Sequence, residues 1–208
     1  MKLRNLFLCT LAGVMVSCGT EKPASGEFAL GNNSAVVPMN VKCGTTQHYL
    51  TDYYPQWEGA DSLTTADARI QIIPTTENNA EFEISTAADA MVSTIDVWHD
   101  GQSLAIVVLG GQRDKQSYMS SQGVEGGRVK IVAEKPVTEA VAMWQNVRIE
   151  DVEVDGNVVS LTIPTEASNF DRSVIRVFAA SEEGRFNDVL LPLERGTVVV
   201  DAAKIKRQ

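Results

Sequence analysis

Ser93-Thr94-Ile95-Asp96-Val97-Trp98-His99-Asp100-Gly101-Gln102-Ser103-Leu104-Ala105-Ile106-Val107-Val108-Leu109 holds two apolar runs of strand length with Asp-Gly between them. The tightest hairpin turns need positive φ at both central positions, which Asp and Gly tolerate better than other pairs. The segment predicts antiparallel strands over 93–98 and 103–109. The same texture spreads in both directions. Upstream, 36–41, 48–54, 69–73 and 80–85 are short apolar or alternating runs, and Glu81-Phe82-Glu83-Ile84 alternates as a strand with one wet face does. Downstream, 129–133, 140–144, 147–154, 158–163, 174–179, 189–193 and 198–200 resume it, with Asp155-Gly156 and Glu183-Gly184 at turns. Between them, 110–127 is polar and glycine-rich around Tyr118-Met119, which marks a domain boundary. After the leading segment, no window keeps a helical apolar stripe for three turns. The expected fold is all-β: two immunoglobulin-like antiparallel β-sandwiches, over 39–122 and 125–200. Trp98 and Trp144 lie mid-strand among apolar residues and are expected in the sandwich cores.

The leading segment reads differently. Lys2 and Arg4 precede an apolar or small-residue run from Leu6 to Val16, and Met15-Val16-Ser17-Cys18-Gly19 closes it. That is the layout of a secretory signal over 1–17 whose removal leaves Cys18 as the first residue. The run is about half the ~20 residues a spanning helix needs. It resembles a bacterial lipoprotein signal, which makes Cys18 the lipid-attachment residue and membrane lipid a partner. The chain is then exported and lipid-anchored to a bacterial membrane, on its periplasmic face or at the cell surface. Residues 18–38, with Thr20-Glu21-Lys22-Pro23 and Gly31-Asn32-Asn33-Ser34, read as a flexible tether.

Of three cysteines, Cys9 leaves with the signal and Cys18 is lipidated, so Cys43 stays alone. Stability must then come from a core and not from disulfides. The formal net charge is −9, and loss of Lys2 and Arg4 makes the mature chain more acidic still. A basic face for nucleic acid is absent. A hydrophobic content of 44% suits a folded body.

Few residues suggest chemistry, and none calls for a cofactor. Asp151-Val152-Glu153-Val154-Asp155-Gly156-Asn157 has the acid spacing of a calcium loop. Thr162 stands where a bidentate Glu is needed, and the intervening valines alternate as in a hairpin strand. Neighbouring carboxylates such as Glu150-Asp151 and Glu182-Glu183 point to opposite faces of a strand and cannot converge on one bond. With His48 and His99 the only imidazoles, a nucleophilic site at Cys43 or a serine has little to work with. Tyr49-Leu50-Thr51-Asp52-Tyr53-Tyr54-Pro55-Gln56-Trp57 concentrates aromatic rings. Either alternate members face the core, or Tyr53, Tyr54 and Trp57 form a carbohydrate-binding surface on which sugar rings stack.

Tyr49 to Pro55 and Ile95-Asp96-Val97-Trp98-His99-Asp100-Gly101 resemble the opening β-domain of lipoprotein α-amylases of glycoside hydrolase family 13 from Bacteroidetes. Ala142-Met143-Trp144-Gln145-Asn146, Ile175-Arg176-Val177-Phe178-Ala179 and 187–196 resemble the segment those enzymes carry before the catalytic barrel. The resemblance implies a module of a starch- or α-glucan-degrading lipoprotein, with α-glucan, a catalytic domain or glycan-uptake proteins as partners. It makes 201–208 a linker toward a C-terminal domain. The family's catalytic carboxylates belong to a barrel of ~250 residues, and no position here receives them. The chain as given is therefore expected to be non-catalytic. The alternative is a structural surface or periplasmic lipoprotein with no glycan ligand.

Overall fold

The computed structural model describes residues 38–50, 60–76, 81–115, 119–125 and 128–199, with backbone alone for Leu50 and 120–125. In chain order the first strands are β1 (Met39–Asn40), β2 (Thr46–Leu50), β3 (Ser62–Thr64), β4 (Ile70–Pro74), β5 (Glu81–Thr86), β6 (Val92–His99) and β7 (Gln102–Leu109). They build two sheets, β1-β7-β6-β3 (sheet I) and β2-β5-β4 (sheet II). Next come β8 (Gln112–Arg113), β9 (Met119–Glu125), β10 (Arg128–Ala133), β11 (Val137–Trp144) and β12 (Val147–Ile149). β13 (Val152–Asp155), β14 (Val158–Thr162), β15 (Arg172–Ser181), β16 (Arg185–Glu194) and β17 (Thr197–Val198) follow. These form β12-β11-β15-β16-β17 with β8 beside β16 (sheet III), and β13-β14-β10-β9 (sheet IV).

Both halves have immunoglobulin connectivity. In the first, β2, β5 and β4 take the B, E and D places while β3, β6 and β7 take C, F and G. In the second, β9, β10, β14 and β13 are A, B, E and D. There β11, β15 and β16 are C, F and G, and β12 lies beside C. In each half a two-residue strand also runs parallel to the last long strand, β1 on β7 and β8 on β16.

The strands obey the period of two. On β6, Ile95 and Val97 face sheet II with Ile106 and Val108 of β7, and they close over Phe82 and Ile84 of β5. On β15, Ile175, Val177 and Ala179 face sheet IV, where Trp144 meets Val129, Ile131, Val159 and Leu161. The β6–β7 turn has φ of 50° at Asp100 and 78° at Gly101, the geometry that Asp-Gly favours.

The structure departs from the sequence reading in three places. The run 147–154 is two strands in different sheets: exposed Glu150 and Asp151 interrupt it, and Val152 N–H turns back to Glu150 O at 3.1 Å. β9 pairs with β10, so 119–125 is hydrogen-bonded into the second sandwich although the expected first unit ran to 122. Trp144 is 3% exposed in a core, as expected. Trp98 is not: alternation with Val97 turns it to the other face of sheet I, half-buried, where its Nε1 donates to Thr64 Oγ1 at 2.8 Å.

Candidate functional site

Cys18, expected to carry the lipid, and the aromatic candidates Tyr53, Tyr54 and Trp57 lie outside the described residues. The flanks of the aromatic stretch are described. β2 carries the chain to Leu50, and beyond the stretch Ala60 is buried in the first core. Asp61 N–H then donates to Trp98 O at 2.8 Å, and Asp61 Oδ2 accepts from Asp100 N–H at 2.6 Å. The Asp-Gly hairpin therefore clamps the returning chain. Tyr49 packs against the first core and donates its hydroxyl to Gln47 Oε1 at 2.8 Å. It is a structural member of the stretch.

The other chemical candidates are dispersed. Cys43 is half-buried with Sγ 3.3 Å from Ala90 O. Burial pushes its thiol pKa up, with Asp89 and Glu139 adding to the effect. His48 Nε2 lies 2.7 Å from Glu83 Oε1 on the outer face of sheet II. Asp151 is held by Arg128 at 2.7 Å and by the Thr162 hydroxyl at 2.5 Å, and Gly156 turns the β13–β14 hairpin at φ 58°. Those two bonds hold the Asp151 carboxyl below the usual range. Glu150 pairs with Arg148 at 2.8 Å and Glu183 with Lys135 at 2.9 Å. Among the described residues no three His, Cys, Asp or Glu side chains are grouped to hold a metal ion.

What the fold does bring together is a joint between the sandwiches. Sheets I and III pack face to face through Val92, Ala105, Val107 and Leu109 on one side and Met143, Phe178, Ala180 and Phe186 on the other. The result is a four-layer stack in the order II, I, III, IV. At one margin Glu139 Oε1 accepts from Met91 N–H at 3.1 Å and from Val92 N–H at 3.0 Å, and its Oε2 accepts from Arg69 Nη2 at 2.6 Å. Arg69 also donates to Asp89 O at 2.8 Å and forks onto both oxygens of Asp67. The Arg69 hydrogen bonds, working against burial, hold the Asp67 carboxyl at a pKa of about 2. Elsewhere in the joint Ala105 N–H donates to Asn146 O at 2.9 Å, and Arg148 donates to Thr94 Oγ1 at 2.8 Å and lies 3.6 Å from Asp96. Burial raises the Asp96 pKa against the pull of Arg148.

Sequence reasoning missed this joint, and one signal pointed to it. Residues 104–109 and 140–144 are unbroken apolar runs, the mark of strands covered on both faces.

These features define a tandem immunoglobulin-type β-sandwich protein with an apolar, hydrogen-bonded joint. No family model matches the chain, and no curated protein does. Among solved structures, a chimeric titin Z1Z2 functionalized with an exogenous decorin peptide is 11% identical, covering 76% of this chain and 91% of that one at a TM-score of 0.25. A pair of titin Ig tandem domains is 8% identical, with 76% and 91% coverage and a TM-score of 0.21. An endo-fucoidan hydrolase from glycoside hydrolase family 107 is 9% identical, with 76% of this chain and 27% of that chain covered and a TM-score of 0.26. Likenesses of that size carry no argument about function, and the fold rests on the connectivity itself.

Proposed function

We propose that the chain is a membrane-anchored, non-catalytic β-sandwich module of an α-amylase-like, α-glucan-degrading lipoprotein. Cys18 carries it on an exported membrane face, and it positions or binds glycan beside a catalytic partner. The observation that supports this most is the joint. Two sandwiches are packed sheet on sheet through a buried apolar seam and the Glu139 and Arg148 bonds, which suits a part that holds something at a set distance and angle from a tether. The sequence resemblance supplies the substrate class.

Titration with maltoheptaose tests the glycan reading. Tyr53→Ala, Tyr54→Ala and Trp57→Ala should each weaken binding, by roughly 0.5–1.5 kcal/mol for the loss of a stacking ring. Equal affinity in all three variants would remove those residues from any site. Fatty-acid labelling that survives Cys18→Ala would remove the anchor. A ligand-free structural lipoprotein is the second reading, favoured by the way Tyr49 is spent on the core and on Gln47. It predicts no response to any glucan.

A further inference from the structure

β6 crosses the joint from one polar margin to the other. At its start Val92 N–H is held by Glu139 of the second sandwich. Four residues on, Asp96 lies on the same face of the strand, because even-numbered residues turn toward sheet III while Ile95 and Val97 turn toward sheet II. The Asp96 carboxylate is poorly served there. Its side chain is 16% exposed, and Arg148 Nη1 stands 3.6 Å from Oδ2, beyond hydrogen-bond reach. The guanidinium is committed to other acceptors. Nη1 donates to Thr94 Oγ1 at 2.8 Å, Nε donates to Glu150 Oε1 at 2.9 Å, and Nη2 lies 2.8 Å from that same oxygen. The residues paired with Asp96, Thr64 on β3 and Ala105 on β7, do not titrate, and neither do Thr94 and Trp98 beside it on β6. A carboxylate shut into an interface on those terms favours its neutral form. Burial does raise the Asp96 pKa, against the pull of Arg148 and with Glu150 adding to the rise.

We infer that Asp96 is a proton-operated latch on the joint: neutralising this one carboxyl tightens the packing of sheet I on sheet III, so the two sandwiches are held more firmly in mildly acidic surroundings than in neutral ones. The side chain faces the second sandwich, and both charged groups that act on it, Arg148 and Glu150, belong to that sandwich. Parting the two units therefore returns Asp96 to water and to the ordinary range of an aspartate. The joined form binds the proton more tightly than the parted form, and by linkage it gains stability as pH falls from neutrality through the Asp96 titration. The gain is complete near pH ~4, the ordinary aspartate value. Asp67, which titrates at about 2, acts below that window. Ala105 reports on the latch, because it is paired with Asp96 and sends its N–H across the joint to Asn146 O at 2.9 Å.

Two measurements on the full chain test this. Carboxyl NMR of aspartate-labelled protein, titrated from neutral to acid pH, gives the Asp96 midpoint directly. It should lie above the ~3.9 of a free aspartate, and a midpoint at or below that value overturns the latch. The second is amide exchange at Ala105, corrected for the intrinsic rate, in wild type and in Asp96→Asn, which keeps the shape of the side chain and stays neutral. Ile131, in the core of the second sandwich, is the control. At neutral pH Ala105 should exchange several-fold more slowly in Asp96→Asn than in wild type. The ratio should close toward one near pH ~4, where wild type carries its own proton, with Ile131 unaffected throughout. A ratio that stays constant with pH or runs the other way makes Asp96 a structural group only. A change of equal size at Ile131 makes the effect one of global stability; either result overturns the inference.

Discussion

Truncating Glu139 to alanine should loosen the two sandwiches from one another. The carboxylate accepts two backbone N–H groups, of Met91 and Val92, and one bond from Arg69. The Met91 N–H keeps a second acceptor in Asp89 O at 2.9 Å, so the full cost of a vacated acceptor, about 1–3 kcal/mol when buried, falls on the Val92 N–H. The Glu139 side chain is 21% exposed, so water reaches part of the vacated place and the low end of that range applies. Arg69 keeps Asp67 and loses only its link across the joint. With the lost Arg69 link the sum is about 2 kcal/mol, or a fall of roughly 4–8 °C in Tm for a chain of this size. Glu139→Gln keeps an acceptor oxygen and should cost about 1 kcal/mol. Urea unfolding gives the free energies, and amide exchange at Met91 and Val92 locates the effect. A loss under about 0.5 kcal/mol in Glu139→Ala, with exchange at both amides unchanged, would refute the joint as drawn.

Three further outcomes follow from the same geometry. The Asp67 carboxyl sits at about 2 when folded and near its ordinary value when unfolded, so its contribution is complete above pH ~4 and disappears as pH falls toward ~2. The urea stability of wild type minus that of Asp67→Asn should therefore shrink across that window by up to about 2 kcal/mol, and a difference independent of pH would count against the Arg69 fork. Gly110→Ala drives a methyl group into Ala90 O and Cys43 Sγ, and should cost at least about 2 kcal/mol. Adding Cys43→Ala should restore only part of that, because the Ala90 carbonyl stays in place; full restoration would mean the backbone had moved aside. Phe178→Ala empties the centre of the joint, where the ring is wholly buried, and should cost about 3–5 kcal/mol in thermal or urea unfolding.

Local features were legible in the sequence because they depend on neighbours along the chain. Asp100-Gly101 announced its turn through φ preference, and Glu81 to Ile84 announced a half-wet strand through alternation. The splitting of 147–154 was harder, since Glu150-Asp151 interrupts the run by turning the chain between sheets and not by ending its β character. Trp98 was misjudged because aromatic and apolar content does not say which side of a strand a residue faces until the register is known. The Arg69–Glu139 link joins residues 70 positions apart, and nothing local in either segment names the other. The aromatic stretch and the cysteine at position 18 are read from the sequence because their cues lie side by side in the chain, whereas the joint emerges only when the sheets are assembled.

The two short strands that run parallel to β7 and β16 bear on how the molecule meets tension. β1 lies beside the end of β7, with Met39 opposite Val108 and Asn40 opposite Leu109, and Val41 N–H adds a bond to Leu109 O at 2.9 Å. A pull that separates the chain before Met39 from the chain after Leu109 draws these two parallel strands past one another lengthwise. Their cross-links are loaded in shear and share the force, instead of opening one after another like a zipper. In the second sandwich β8 lies alongside β16 in the same parallel sense. In both units a short strand at the start is thus tied to the last long strand in the geometry that meets lengthwise tension in shear.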